Sequence, residues 1–186
     1  MYSLSRVQGK TVVVNLILVG VAINAMAGGF VTLFSFIGGT MAQSQVVFWQ
    51  LGSLAGAGWS SAVITLIITV IGIVIACLCA PKMDLLALGE NQARHLGVNV
   101  ERFRLCVIIL VAALVGVGVA FAGVIAFVGL IVPHAIRLII GPQHKWLLPT
   151  SAFGGAFVLL VADTCARTII STAELPIGML TSLIGG

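Results

Sequence analysis

The sequence predicts an all-α fold, a polytopic transmembrane helical bundle, and three observations carry that expectation. Of 186 residues, 60% are hydrophobic and only 8% are charged, against about 25% charged in a soluble domain. Mean hydropathy is +1.23. No charged residue lies between Thr11 and Pro81, a stretch far longer than the roughly 20 apolar residues that cross a bilayer once. The apolar runs are continuous rather than alternating, which disfavours a β-barrel. The first run is too long for the core of a cleavable leader and continues into further spans, so it is expected to stay in the membrane.

Six hydrophobic segments follow in order: residues 11–36, 61–80, 105–122, 124–141, 147–166 and 175–186. The third and fourth are read as two elements. A single helix over residues 105–136 would reach about 48 Å, well beyond a hydrocarbon core of about 30 Å. Glycines at 116, 118, 123 and 129 offer places to turn. The fourth segment is expected to be short and irregular, a helix broken at Pro133 near the cytoplasmic side, with His134 and Arg137 one turn apart beside the break. Irregular backbone at this depth must be buried in protein or face a watery cavity. The sixth segment would rise only about 18 Å, so the chain is expected to be a truncated, partial membrane domain covering residues 1–186.

Orientation follows from the basic residues. With six segments, one side receives Arg6, Lys10, Lys82, Arg94, Arg102, Arg104, Arg137 and Lys145, and the other receives only Arg167. The first side is therefore cytoplasmic, and residues 37–61 form an external connection. Trp49 and Trp59 flank the second span, where interface aromatics are common. The net charge of +4 comes without a basic run, so nucleic acid is not an expected partner; the lipid bilayer is.

Cys77, Cys79, Cys106 and Cys165 all fall in apolar segments and read as small packing residues rather than a metal or redox pair. His95, His134 and His144 lack the spacing of a ligand set, so no metal and no cofactor is expected. His134 reads as a partner for broken backbone, and Arg137 as a side chain that snorkels to the interface.

Two polar stretches stand out. The longest is cytoplasmic, "APKMDLLALGENQARHLGVNVERFR", residues 80–104. Connections longer than about 12 residues are often functional. Residues 85–98 are expected to form short helices at the membrane surface. Leu85, Leu86, Leu88 and Leu96 give them an apolar side that a partner protein would cover. The second stretch is "ADTCARTIISTAELPIG", residues 162–178. Asp163 and Arg167 are four apart with the acid first, the favourable order for a helical ion pair. Glu174 precedes Pro176, which can open the sixth helix in its first turn, and a carboxylate there meets the positive end of the helix dipole.

Taken together, "LILVGVAI", "WQLGSLAGAGW", "ALGENQARHLGV", "FVGLIVPHAIRLIIGPQHKWLLPTSAFGGAF", "LLVADTCAR" and "AELPIGMLTSLIGG" resemble the permease subunits of ABC importers for iron–siderophore complexes, haem and vitamin B12. The resemblance runs from about Asn15 to the end. It implies a bundle of the iron–siderophore/cobalamin ABC-importer permease type, of which this chain is similar to helices five to ten, the last cut short. It implies a multi-pass protein of the cytoplasmic membrane that is not itself an enzyme, since ATP is hydrolysed by a partner ATPase. The implied partners are that cytoplasmic ATPase, an external substrate-binding protein and a second permease subunit, identical or not. The implied cargo is an iron–siderophore complex, with haem or vitamin B12 as alternatives. By the same resemblance the ATPase would meet a coupling loop, residues 81–104, at Leu85, Leu88, Gly89, Glu90, Ala93, Arg94, Leu96 and Gly97. Arg167 would dock the binding protein, with Asp163, Glu174 and Pro176 as its structural support. The first span would line the central pathway, its gate near residues 9–15. Two other classes compete: a secondary transporter that uses a buried Asp163–Arg167 pair, and an inert membrane fragment.

Overall fold

The computed structural model describes residues 6–7, 10–11, 13–169, 176–179 and 181. The chain is all-α apart from a two-residue antiparallel ladder, β1 (Arg6–Val7) with β2 (Lys10–Thr11). Among the described residues seven helices follow: α1 (Val13–Ile37), α2 (Gly39–Leu51), α3 (Trp59–Ala87), α4 (Glu90–His95), α5 (Val100–Ala122), α6 (Val128–Ile140) and α7 (His144–Ile169). Among the described residues four stretches are long and apolar enough to cross a membrane: Ile17–Ile37, Trp59–Ala87, Val100–Ala122 and His144–Thr168. α6 is a shorter apolar helix.

α3 is the axis of the bundle. It packs against α5 on one side and α7 on the other, α6 packs on α7, and α1 packs mainly on α2. Hydrophobic transfer cannot drive these contacts inside lipid, so close packing must. Small residues let the helices approach. Gly72 of α3 faces the Leu114 side chain of α5, and Gly154 of α7 faces Val132 and Ile136 of α6.

Local chemistry explains several helix ends. At the start of α3 the Ser61 hydroxyl donates to the Gly58 carbonyl at 2.8 Å and accepts from the Gly58 N–H at 3.1 Å. Asn99 caps α5, its Oδ1 accepting from the Arg102 N–H at 3.2 Å.

Two expectations need correcting. Pro81 does not end the second span: α3 continues through it to Ala87. A proline removes one backbone donor, and membrane helices tolerate this where neighbouring groups compensate. Leu85 and Leu86 therefore belong to the end of α3, not to a separate surface helix. Next, α6 is helical through Pro133, the sixth of its thirteen residues. The irregular backbone lies before it, in residues 123–127, where Gly123 has φ 71° and Phe127 has φ 67°. Much of the connection 37–61 is occupied by α2. Glu174 lies outside the described residues, as do the side chains of residues 9–15 and most of the sixth segment.

Candidate functional site

The expected site residues divide between the two ends of the bundle. α7 has 26 residues and so is about 39 Å long. Its first residue, His144, bonds Asp84 near the C-terminal end of α3, and Arg167 lies in its last turn. The cation-rich connection 81–104 and the region of Arg167 are therefore far apart.

At the cation-rich end, α4 forms a compact bracket between α3 and α5. Gly89 caps its start, and the Gly89 carbonyl accepts from the Ala93 N–H at 3.0 Å. After its last turn the Gly97 N–H reaches the Arg94 carbonyl and the Val98 N–H reaches the Ala93 carbonyl, both at 3.0 Å. These bonds satisfy carbonyls that a helix end leaves open. Glu90 stands in the first turn and Arg94 and His95 in the last, each where the helix dipole favours its charge. Glu90 also pairs with Arg104 of α5, tying the bracket to the next span.

Burial sorts the residues expected to meet a partner. Leu88 and Leu96 are each 64% exposed, and Gly89, Glu90, Arg94 and Gly97 are exposed as well. Leu85 is half-buried. Ala93 is fully buried, so it shapes the bracket from inside. Val100 and Phe103 of α5 are buried nearby in sequence.

At the opposite end, the Arg167 Nε–H donates to Asp163 Oδ2 at 2.9 Å. The Arg167 side chain is 59% exposed and that of Asp163 is 22% exposed, so the acid is the sheltered partner and the guanidinium the presented one. Pro176 and Ile177 are buried, Ile177 at 1% against Ala162 and Ala166 of α7 with Leu54 and Leu159 around them.

Beside this cluster three stretches of backbone meet, a feature the sequence reading did not anticipate. The Ser53 N–H donates to the Ala122 carbonyl at 2.9 Å, the Val124 N–H to Trp49 at 3.4 Å, and the Gly178 N–H to Gly52 at 3.5 Å. A methyl group on Gly123 would collide with the Trp49 carbonyl oxygen, and one on Gly178 with that of Leu51. Three backbones pack at contact distance here, which only glycine permits. A 310 Å³ cavity beside them is lined by Phe48, Trp49, Phe121 and Pro176 among others.

His134 and Arg137 are both exposed on α6. His95 lies on α4, and His144 is engaged by Asp84. Among the described residues no group of three or more His, Cys, Asp or Glu is gathered.

A bundle of membrane-length helices with a short braced helix on its cation-rich side fits a membrane permease. The chain belongs to the FecCD transport family, whose model matches residues 1–186. It is 44% identical over 185 residues to the hemin transport system permease protein HmuU of Yersinia pestis, covering 100% of this chain and 55% of that protein. It is 41% identical over 170 residues to the vitamin B12 import system permease protein BtuC of Vibrio vulnificus (strain CMCP6), covering 91% of this chain and 51% of the relative. Its structure is similar to that of a metal-chelate type ABC transporter in an inward-facing conformation. The TM-score is 0.88 at 34% identity, over 93% of this chain and 56% of the other. The chain thus spans about half the length of the relatives it matches.

Proposed function

We propose that this chain forms part of the permease of an ATP-driven importer in the cytoplasmic membrane, and that the cargo is a metal chelate. One observation carries the reading within the FecCD family: α4 is braced from inside by Ala93 and from the side by Glu90–Arg104, yet holds Leu88 and Leu96 out to solvent. A rigid apolar knob on the cation-rich side suits the groove of a partner ATPase. In this reading Leu85, Leu88, Gly89, Glu90, Arg94, Leu96 and Gly97 form the coupling surface, and Ala93 sets its shape. ATP is hydrolysed by the partner, and closure of the ATPases pushes α4 and the ends of α3 and α5. A second permease subunit completes the pathway, and the exposed faces of α1 suit a helix that lines it.

Arg167 is assigned to docking an external binding protein through a carboxylate on that protein. Asp163 orients it, and Pro176 seats the chain beneath it; Glu174 is assigned to the start of the last segment. On the cargo, the hemin and vitamin B12 permeases named above favour haem, then cobalamin. An iron–siderophore complex ranks third, since neither of those relatives is named for one.

The test is uptake in proteoliposomes that contain the complete permease, its ATPase and its binding protein, with hemin, cobalamin and a ferric siderophore offered separately. ATP-dependent accumulation of one of them is expected. Accumulation that follows a proton gradient and ignores loss of the ATPase would favour a secondary transporter instead. The position of Asp163 and Arg167 close to the end of α7, with the guanidinium exposed, argues against that class, which places its charges near the midplane.

A further inference from the structure

Asp84 stands in the last turn of α3, where the negative end of that helix's dipole disfavours a carboxylate. Its local position is therefore a conflict, and the structure resolves it across the bundle. Asp84 Oδ1 accepts from the backbone N–H of His144 at 3.1 Å and lies 2.6 Å from His144 Nδ1. His144 is the first residue of α7, so its N–H is one that the helix itself leaves unpaired. Asp84 thus acts as an N-cap supplied from another helix, with its charge at the positive end of the α7 dipole. The second bond fixes the imidazole: Nδ1 must carry a proton, because its lone pair would otherwise face the carboxylate. The His144 side chain is 20% exposed and that of Asp84 is 40% exposed.

The pair sits at a mechanical junction. Asp84 directly precedes Leu85 and is followed within a few residues by α4. At the other end of α7 lies Arg167. α4 is also tied to α5 through Glu90–Arg104, whereas the main packing partners of α7 are α3 and α6. We propose that Asp84 and His144 are positioning residues that make α7 move with the coupling unit, so that events at the Arg167 end and at the ATPase end influence each other. The proposal rests on the importer reading above.

The test uses the assembled complex of permease, ATPase and binding protein. It measures the ratio of binding-protein-stimulated to basal ATP hydrolysis, together with the amount of permease inserted and of ATPase co-purified. Asp84→Ala removes both bonds, and His144→Ala keeps the backbone bond while removing the ring. Each is expected to lower the stimulation ratio by about tenfold, within the usual span of a coupling between two sites, with insertion and co-purification unchanged. The double variant is expected to be no worse than Asp84→Ala, because partners in one interaction are non-additive. The exchanged pair, Asp84→His with His144→Asp, puts each charge at the helix end that favours it and is expected to recover much of the ratio. Full stimulation in both single variants would overturn the link, as would independent, additive losses. A fall in inserted protein that accounts for the whole loss, with no recovery in the exchanged pair, would make the contact merely structural and overturn it too. Failure of the unaltered chain to associate with any ATPase would instead overturn the importer reading, and the link with it.

Discussion

Arg167 and Asp163 lie one turn apart on α7, and the ion pair between them is half open to solvent. Such a pair adds little to stability, and the role proposed for the exposed Arg167 side chain is recognition. A contact of this kind acts on association more than on final affinity and weakens with salt. Arg167→Glu in the complete permease is therefore expected to slow docking of the binding protein and remove most of its salt dependence, while ATPase co-purification stays normal. Binding kinetics at two ionic strengths check this. Unchanged kinetics with a lower folded yield would assign the residue to structure alone. The glycines at the three-way junction make a different kind of claim. Gly123 has φ 71° and faces the Trp49 carbonyl, so Gly123→Ala combines a disfavoured backbone with a collision. It is expected to destabilise the fold by more than about 1 kcal/mol, seen as earlier thermal unfolding in detergent, whereas Gly118→Ala, with open space around it, should not. The pairing of Asp163 with Arg167 could be read from their spacing. The junction could not: its contacts join residues 49, 52, 123 and 178, and nothing local in those stretches announces a partner.

At the scale of elements, α4 separates shape from contact. Ala93 is buried, so Ala93→Trp would overpack the bracket and is expected to distort the whole unit, lowering both folded yield and ATPase association. Leu88 is exposed, so Leu88→Asp is expected to abolish ATPase association with yield unchanged. Gly97→Trp, at φ 82°, should behave more like the Ala93 change. Co-purification and yield, measured together, distinguish these cases. The long spans and the polar connection 81–104 were legible because apolar length and charge placement are properties of sequence itself. Three elements were less so. α2, "GTMAQSQVVFWQL", mixes polar and apolar residues without strong periodicity and has no buried residue, so it offers little signal. Pro81 and Pro133 are breakers by local rule, but helix packing keeps both helices running. The inward turn of Ala93 depends on how α4 meets α3 and α5, which no local pattern encodes. The Asp84–His144 contact left one readable trace, an acid in the last turn of a helix.

Across the whole molecule, one end collects Lys82, Arg94, Arg102, Arg104 and Lys145, and the other presents Arg167. α3 is long enough, at 29 residues or about 44 Å, to carry Lys82 and Asp84 beyond the apolar layer. The described helices nevertheless expose large apolar residues on many sides, with none of the best hydrophobic window of the first span buried. Lipid accepts such faces, and the proposed second subunit would cover some of them. The central claim is that the cation-rich end, through α4, is where an ATPase engages. Photo-crosslinking in the assembled transporter tests it most directly, with the crosslinker placed in turn at Leu88, Leu96 and Trp59. Leu88 and Leu96 are expected to capture the ATPase, with yields that change on ATP binding, and Trp59, 89% exposed at the far end of α3, to capture none. Capture of the ATPase at Trp59 but at neither leucine would contradict the account.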